Sequence, residues 1–365
     1  MKNTDYPSLI IDLKKIYNNA KRLVEFTTSQ GINISGVVKG SNSSKEVAKV
    51  FIEAGCMNIA DSRIEKIAEL KQAGIDAETL LLRAPMLCEI GSVVTYADIS
   101  LNSELITLEA LNAEAKKQNK VHKVILMADL GDLREGCFDE EELMNIAVHT
   151  ESHLENIHLY GIGTNLGCFG AIRPDEINLG RLVSLSEKIS ALIGRTLEIV
   201  SGGATTSLPI LFDNKMPKGI NHLRVGEAIL LSRDLRDLWG YSMEGYYTDT
   251  IVLQTQVIEV KEKPTYPIGK IFVDAFGYTP EYKDKGIRKR AIVAIGKKDI
   301  GHHDSLIPRM KGITVDGSSS DHVILDVTDA AQDVKVGDII EFELYYQSML
   351  YTTASTSVKK TYINK

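Results

Sequence analysis

The sequence has no long apolar run and no block of charge of one sign. Its 42 lysine and arginine residues and 49 aspartate and glutamate residues are interspersed, with a formal net charge of −7. This pattern offers no basic patch for nucleic acid or anionic lipid. No stretch approaches the length that spans a bilayer, and the N-terminus has no apolar signal core. We expect a cytoplasmic protein that acts on small molecules, with no nucleic-acid or membrane partner.

Cysteine is also scarce, and metal-binding patterns are missing. The chain has four cysteines and no C-x-x-C pair: Cys56, Cys88, Cys137 and Cys168. Such spacing fits reduced thiols that pack as small apolar side chains, and none is a candidate nucleophile. His302 and His303 are adjacent, whereas two ligands on one helix face are four residues apart. We therefore predict no metal.

Short apolar runs alternate with helix-like stretches from residue 32 to about 230, which predicts a parallel sheet wrapped by helices. The eight predicted strands are Ile32–Val38, Met57–Ala60, Leu80–Leu82, Asp98–Leu101, Val121–Ala128, Ile157–Ile162, Leu197–Val200 and Leu223–Val225. The helix-like segments include Ser44–Ala54, Ser62–Ala73, Ser103–Gln118 and Ile177–Leu192. Eight parallel strands close a TIM-type (β/α) barrel.

After Gly245 the pattern changes to β-branched runs separated by glycine, proline and aspartate clusters. The predicted strands there are Thr248–Val260, Lys270–Phe276, Arg290–Ile295, His322–Val327 and Asp338–Leu344. The predicted fold class is thus α/β, an eight-stranded barrel followed by a smaller all-β domain. We assign residues 1–235 to the barrel and residues 236–365 to the β domain.

Lys39 follows the first predicted barrel strand directly. If that strand opens a barrel, its ammonium group lies in the mouth where barrel active sites are built, beside apolar walls that lower its pKa. Such a lysine is suited to Schiff-base chemistry with an aldehyde cofactor. Taken alone, Lys39 fits a solvated loop lysine better, and the rest of the chain must favour the catalytic role.

A glycine-rich polar loop follows the seventh predicted strand. Ser201–Ser207 contains two glycines and several hydroxyl side chains, so its backbone N–H groups can approach a ligand closely. Barrels commonly hold a phosphate after strand seven, and Gly226 after strand eight would complete the cradle. Such a loop alone also fits an ordinary turn. Its position opposite Lys39 favours the phosphate site.

Several segments, in order along the chain, carry a resemblance to a known family. They are Val37–Lys39, Asp129–Gly136, Gly161–Leu166, Ser201–Leu208, Leu223–Glu227 and Ser319–His322. Together they resemble the alanine-racemase-like (fold type III) enzymes, which use pyridoxal 5′-phosphate, and within these the ornithine racemase branch. The resemblance covers nearly the whole chain. It implies a racemase of amino acids, with ornithine or lysine as substrate.

The resemblance also implies a role for each matched residue. Lys39 forms the Schiff base with the cofactor and is the base on one face of the substrate α-carbon. Arg224 is the partner of the pyridine nitrogen, and Asn165 packs beside the ring. Arg134 lies beside the phenolic oxygen and the substrate. The phosphate is held by Ser201, Gly202, Gly203, Thr205, Gly226 and Glu227.

Tyr278 falls where alanine racemases place their second base, in the β domain and reaching the site of a partner subunit. The resemblance therefore implies a homodimer with shared active sites. A tyrosine in such a loop also fits a packing role. Two positions depart from the alanine racemases, because Ser43 and Ser357 stand where those enzymes carry aromatic side chains.

A side-chain ammonium is tolerated out of water only beside a carboxylate, so a racemase for ornithine or lysine needs one in its pocket. Asp274 and Asp321, the latter with Ser320 beside it, are the candidates for substrate binding. Each aspartate alone also fits a turn or cap residue.

Three other functions fit parts of the chain. Pyridoxal-phosphate-dependent decarboxylases have the same two-domain plan, but they share a proton-donating cysteine in the β domain. In this chain no cysteine follows Cys168, which disfavours decarboxylation. A non-enzymatic barrel protein that binds the cofactor lacks a β domain. A metal-dependent barrel hydrolase needs clustered histidine and carboxylate ligands at the strand ends, and the predicted strand ends of this sequence lack such a cluster.

Overall fold

The computed structural model describes residues 5–364. Internal contacts divide the chain into two units, one formed by Lys15–Tyr246. The other unit combines the described residues before Lys15, including strand β1 (Ser8–Asp12), with those from Tyr247 onward. This division differs from the predicted domains at both ends. Strand β1, which we assigned to the barrel domain, belongs to the other unit, called the second unit below. The later boundary between the units falls eleven residues after residue 235.

Lys15–Tyr246 contains the predicted barrel. Its eight strands close in sequence order, with β2 hydrogen bonded to both β3 and β9 in parallel register. The strands are β2 (Asn33–Val37), β3 (Asn58–Asp61), β4 (Thr79–Leu81), β5 (Ile99–Asn102), β6 (His122–Met127), β7 (Ile157–Gly163), β8 (Ile199–Ser201) and β9 (His222–Val225). The predicted fold class is confirmed, and each predicted strand overlaps the observed one.

The helices of this unit begin with one before the first barrel strand and continue between and after the strands. They are α1 (Leu13–Ser29), α2 (Lys45–Glu53), α3 (Ile64–Gln72), α4 (Ile90–Tyr96), α5 (Leu105–Lys117), α6 (Glu140–His153), α7 (Glu176–Ile193), α8 (Leu208–Phe212), α9 (Glu227–Leu230) and α10 (Arg233–Asp237). Capping side chains mark the residues at which several of these helices begin. Ser44 accepts the N–H of Val47 at α2, and Asp175 forms a capping box with Asn178 at α7.

The barrel wall separates two buried layers because neighbouring residues of a strand point to opposite sides. Ile125 and Met127 of β6 belong to the inner cluster, while Val124 and Leu126 belong to the larger cluster packed against the helices. The inner layer is partly polar, since Ser35, Ser201 and His222 are buried there with apolar residues. Polar groups inside the barrel can thus support those at its mouth.

The second unit is built on an eight-stranded sheet, with β1 completing it. Strands β10 (Ile251–Pro264), β11 (Ile287–Val293), β12 (Leu306–Pro308), β13 (Thr314–Ser318), β14 (Val323–Asp326), β15 (Ile339–Leu344) and β16 (Lys359–Ile363) accompany helices α11 (Lys297–Ile300) and α12 (Tyr346–Ala354). The order β12-β15-β10-β11-β14-β13 is antiparallel throughout. β1 pairs antiparallel with β10 and parallel with β16.

One predicted strand of this unit is wrong. Lys270–Phe276 is irregular, and most of its apolar side chains are exposed, including Phe272 at 77 %. No strand among residues 5–364 pairs with this segment. The N–H of Asp274 instead bonds the carbonyl oxygen of Tyr278 at 2.7 Å and closes a turn. The β-branched and aromatic content that predicted a strand therefore serves a loop.

None of the helices among residues 5–364 has the length and apolar character that crossing a membrane requires.

Candidate active site

Lys39 begins a single 3₁₀ turn, Lys39–Ser41, immediately beyond β2. The N–H of Val38 bonds the carbonyl oxygen of Ala60 at 2.9 Å, which extends the sheet up to the lysine. The side chain is accessible to solvent, yet the surrounding barrel mouth removes much of its water and lowers the pKa of Lys39. The positive charges of Arg134 and Arg224 lower it further, while Cys168 and Asp61 oppose the shift. Lys39 is thus an accessible amine with an enlarged neutral fraction.

Asp61 is a site residue that the sequence interpretation missed. It ends β3, next to the strand that carries Lys39, and is buried. Ser43 Oγ donates a hydrogen bond to Asp61 Oδ2, and the N–H of Arg63 bonds Oδ1 at 2.9 Å. Burial raises the pKa of Asp61 despite these bonds and the charge of Lys39. Ser43 therefore orients a carboxyl group near the lysine.

Arg224 is the third residue of β9 and is only 4 % exposed. Its Nη1 donates to Ser201 Oγ, and its Nη2 donates to the carbonyl oxygen of Thr164 at 2.7 Å. Burial lowers the pKa of Arg224 to about 10, with Glu135 and Cys168 opposing the shift. The guanidinium therefore remains a cation at neutral pH.

The loop after β8 is shaped for close approach of a ligand to the backbone. Gly203 has φ of +114°, and a Cβ there would lie 2.5 Å from Ser207 Oγ. A Cβ on Gly226 would lie 2.9 Å from the carbonyl oxygen of Val37. Thr205 Oγ1 accepts the N–H of Ala228 at 3.3 Å, which joins this loop to the start of α9. The N–H groups after β8 and β9 thus form one cradle suited to an anion.

The Glu227 side chain has a separate, structural position. Its Oε1 accepts the N–H groups of Arg233 at 2.9 Å and Asp234 at 3.0 Å, which joins α9 to α10. Burial, and then the charge of Asp234, raises the pKa of Glu227 to about 7. A contribution of Glu227 to phosphate binding is therefore expected from its backbone N–H.

The loops after β6 and β7 are joined by Asp132. Its carboxylate accepts the N–H groups of Gly167 at 2.9 Å and Phe169 at 3.0 Å. Burial would raise the pKa of Asp132, but these backbone bonds outweigh it and lower the pKa. Arg134, two residues further, is exposed and paired with Glu135. Sequence analysis gave no role to Asp132, although it lies in the family-like Asp129–Gly136 segment.

Two donors near Arg224 are unsatisfied. Asn165 Nδ2 and Thr164 Oγ1 are buried and have no hydrogen-bond partner among the described residues. Both follow β7, and Thr164 also supplies the carbonyl oxygen that Arg224 contacts. Buried polar groups are almost always paired, so these two are suited to a bound polar group.

In the second unit, Asp274 anchors the turn that presents Tyr278. Asp274 Oδ1 accepts the N–H groups of Phe276 at 2.8 Å and Tyr278 at 2.9 Å. Its Oδ2 lies 3.7 Å from Lys297 Nζ, whose charge lies 4.0 Å from the centre of the Phe276 ring. The Tyr278 side chain is 69 % exposed. The structure thus gives the Asp274 carboxylate turn partners and leaves the Tyr278 hydroxyl accessible.

Asp321 lies in a second turn held to the first. The N–H of Lys297 bonds the carbonyl oxygen of Ser319 at 2.8 Å, so one residue contacts both turns. Asp321 is exposed, and its Oδ2 accepts from Ser320 Oγ at 2.7 Å. Ser357 is exposed in the loop before β16. Tyr278 and Asp321 therefore belong to linked turns of the same unit.

Among residues 5–364, one group of side chains is close enough to hold a metal ion, namely His302, His303 and Asp304. The Asp304 carboxylate lies 3.3 Å from His302 Nδ1 and 3.4 Å from His303 Nε2. The three residues are consecutive and largely exposed, and no predicted site residue is among them. The absence of a metal from the reaction stays a prediction.

Comparison with known proteins gives consistent matches. The family described as alanine racemase, N-terminal domain, matches residues 11–234. The chain is 44 % identical to the ornithine racemase of Acetoanaerobium sticklandii over 355 residues, covering 97 % of this chain and 99 % of that protein. It is 39 % identical to the lysine racemase of Thermotoga maritima, covering 98 % of each. A solved alanine racemase from Streptomyces lavendulae has the same fold, with a TM-score of 0.77 at 17 % identity, covering 100 % of this chain and 98 % of that one.

Proposed function

The chain belongs to the alanine racemase N-terminal domain family, and on that premise we propose that it is a pyridoxal-phosphate-dependent racemase of amino acids. One structural observation carries the proposal. Lys39 follows β2, Arg224 lies in β9, and the Ser201–Thr205 loop begins at the end of β8. These three strands are neighbours in the closed barrel. An amine, a cation and a set of backbone N–H donors therefore lie side by side at the mouth.

These groups fit pyridoxal phosphate. The cofactor offers an aldehyde to an amine, a phosphate to N–H donors, and a ring nitrogen to a hydrogen-bond donor. Gly203 and Gly226 leave space that a side chain would fill. Asn165 Nδ2 and Thr164 Oγ1 are the unsatisfied donors that a bound polar group would pair.

Each part of the cofactor would be bound by a different set of residues in the barrel unit. Lys39 would hold the cofactor covalently, Arg224 would face its ring nitrogen, and Arg134 and Asn165 would lie at its edge. The phosphate would be held by backbone N–H groups of Ser201, Gly202, Gly203, Thr205, Gly226 and Glu227 and by the Thr205 hydroxyl, since the Ser201 hydroxyl is engaged by Arg224 and His222.

When bound, the cofactor withdraws electrons from the substrate α-carbon and so acidifies its hydrogen. Racemisation then needs one base on each face of that carbon. Lys39 serves one face, because its lowered pKa gives Nζ a free lone pair more often than in an ordinary lysine. Arg224, with a pKa of about 10, donates hydrogen bonds and keeps its protons at neutral pH. It therefore leaves the ring nitrogen unprotonated, which limits electron delocalisation into the ring.

Tyr278 is proposed as the base on the other face, contributed by a second copy of the chain. Its hydroxyl is accessible, and its backbone is fixed by Asp274. The same segment exposes Ile268 and Phe272, at 92 % and 77 %, and the barrel unit exposes Phe169 beside the loop that carries Asn165. We take these side chains as candidate parts of a surface that a partner covers, since contiguous exposed apolar patches mark interfaces. We propose a homodimer in which each site uses residues of both subunits.

Racemisation and decarboxylation are separated by one assay. The protein, supplied with pyridoxal phosphate, is incubated with single enantiomers of ornithine, lysine, alanine and serine, while optical rotation and carbon dioxide are followed. We expect rotation to fall to zero with no carbon dioxide released. Carbon dioxide in proportion to substrate loss would establish a decarboxylase instead. Cofactor binding without turnover of any amino acid would favour a non-enzymatic binding protein.

The proposed substrate is a long cationic amino acid, with Asp321 holding its side-chain ammonium. The Asp274 carboxylate anchors its own turn, whereas the Asp321 carboxylate is exposed and has a single hydrogen bond from Ser320. In the proposed dimer the bound substrate and the surrounding residues would cover Asp321, and an unpaired carboxylate is costly once it is covered in this way. We therefore expect kcat/KM for ornithine to exceed that for norvaline by about 10²-fold or more. Asp321→Asn should remove most of this preference without changing the affinity for pyridoxal phosphate.

Asp333→Asn is the matched control, since Asp333 is an exposed aspartate of the same unit, paired with Lys289. It should leave the ratio of ornithine to norvaline unchanged. Alanine or serine turning over best, together with no effect of Asp321→Asn, would contradict the basic substrate while leaving racemisation intact.

A further inference from the structure

Behind Arg224, a buried hydrogen-bond chain runs through the interior of the barrel. Arg224 Nη1 donates to Ser201 Oγ, which lies 2.8 Å from His222 Nδ1. On the other side of the imidazole ring, His222 Nε2 lies 2.7 Å from Ser35 Oγ. Ser201, His222 and Ser35 are each at most 1 % exposed. The chain thus crosses three adjacent strands, from β8 through β9 to β2.

His222 is neutral in this chain. Burial, and then the nearby charge of Arg224, lowers the pKa of His222 to about 3. Its ring therefore has one N–H donor and one nitrogen acceptor at physiological pH. The Arg224 cation favours a Ser201 O–H that points away from the guanidinium. We assign the tautomer in which Ser201 donates to Nδ1, and Nε2–H donates to Ser35.

This tautomer fixes the direction in which the Ser201 oxygen accepts. With its hydrogen committed to His222, Ser201 Oγ presents its lone pairs to Arg224. A serine hydroxyl without such an acceptor rotates freely, and its hydrogen can then face the guanidinium. The point matters because no carboxylate among residues 5–364 lies within 4.0 Å of the Arg224 nitrogens. Both hydrogen bonds that hold this buried cation therefore go to neutral acceptors.

We propose that His222 is a positioning residue that acts through Ser201 to orient Arg224 toward the ring nitrogen of the bound cofactor. The proposal rests on the proposed function, because it takes pyridoxal phosphate as the group that Arg224 faces. His222 never touches the cofactor or the substrate in this role. By accepting the Ser201 hydrogen, it makes the Ser201 oxygen an acceptor for Arg224.

Two substitutions of His222 separate this role from simple core packing. In H222N the side-chain oxygen takes the place of Nδ1, so an acceptor for Ser201 is kept while the bond to Ser35 is lost. In H222Q the amide takes the place of Nε2, so the contact with Ser35 is kept and the acceptor for Ser201 is lost. Both variants put a neutral amide in the same buried space.

His122 provides the control. It is a buried histidine 2.8 Å from Ser100 Oγ, with a pKa lowered to about 4 by burial. Alternation along β6 places it with Val124 and Leu126, on the helix side of the barrel wall and away from Arg224. H122Q therefore repeats the buried histidine-to-glutamine change outside the proposed chain.

The measurements are the dissociation constant of pyridoxal phosphate and the visible circular dichroism of the bound cofactor, which reports how rigidly the ring is held. We expect H222Q to raise the dissociation constant by about tenfold or more, the typical effect of losing a hydrogen bond to a charged group, and to weaken the visible dichroism. H222N and H122Q should remain close to the unsubstituted protein. In an S201A background, H222Q should add no further loss, because the intermediate hydroxyl is gone.

Equal losses in H222Q, H222N and H122Q would overturn the positioning role and leave only core packing. If H222Q does not fold, S201A alone must raise the dissociation constant, and an unchanged value would also overturn it. Failure of the unsubstituted protein to bind pyridoxal phosphate would overturn the proposed function itself, and is thereby distinguished from failure of this inference.

Discussion

Lys39→Ala should lower the rate of amino-acid racemisation by about 10⁴-fold or more, because one substitution removes both the attachment of the cofactor and one of the two bases. The expected loss is this large because the neighbouring charges at the mouth offer no substitute amine. Arg134 and Arg224 stay protonated, and the pKa of each lies far above neutrality. The visible absorbance of the protein with pyridoxal phosphate should disappear together with the activity.

Borohydride reduction locates the attachment directly. With the unsubstituted protein, the reduced cofactor should be recovered on the peptide that contains Lys39. Lys45 and Lys49, which are exposed on α2 a few residues away, provide matched controls. Lys45→Ala and Lys49→Ala should keep both absorbance and activity. Recovery of the cofactor on either of them would show that the assignment of Lys39 is wrong.

The barrel was predictable because its information is local. A buried strand such as β6 needs only a short apolar run, and a helix is marked by a cap, such as Ser44 before α2, or by a glycine after its end. Once the strands are counted, every polar residue at a strand end is placed at the mouth. Lys39 and the Ser201–Ser207 loop were identified in this way, and their roles toward the cofactor stay predictions.

Features that depend on distant partners were not predictable from one sequence. β1 pairs with β10 and β16, which lie more than 230 residues away. The residues of Ser8–Asp12 do not indicate which strands they pair with. Lys270–Phe276 has strand-forming residues but no neighbouring strand. Asp61 could have been found, since it follows the end of a predicted strand as Lys39 does. His222 lies at the start of a strand, and only its spatial neighbours distinguish it from an ordinary core residue.

Tyr278→Phe should lower racemisation by about 10² to 10⁴-fold, the range typical of a general base, if Tyr278 serves the second face of the α-carbon. The two enantiomers of an amino acid are equal in free energy. The loss of kcat/KM must therefore be the same in both directions, and racemisation rates alone cannot show which face has lost its base.

Exchange of the α-hydrogen with deuterium from solvent resolves the faces. Lys39 still removes and returns the hydrogen on its own face, so one enantiomer should incorporate deuterium without inversion while the other exchanges far more slowly. Tyr282→Phe is the control, because Tyr282 is a partly exposed tyrosine in the same loop, in edge contact with Tyr266. It should change neither rate. A mild and equal loss of exchange for both enantiomers in Tyr278→Phe would assign Tyr278 to packing, and the second face would then need a different base.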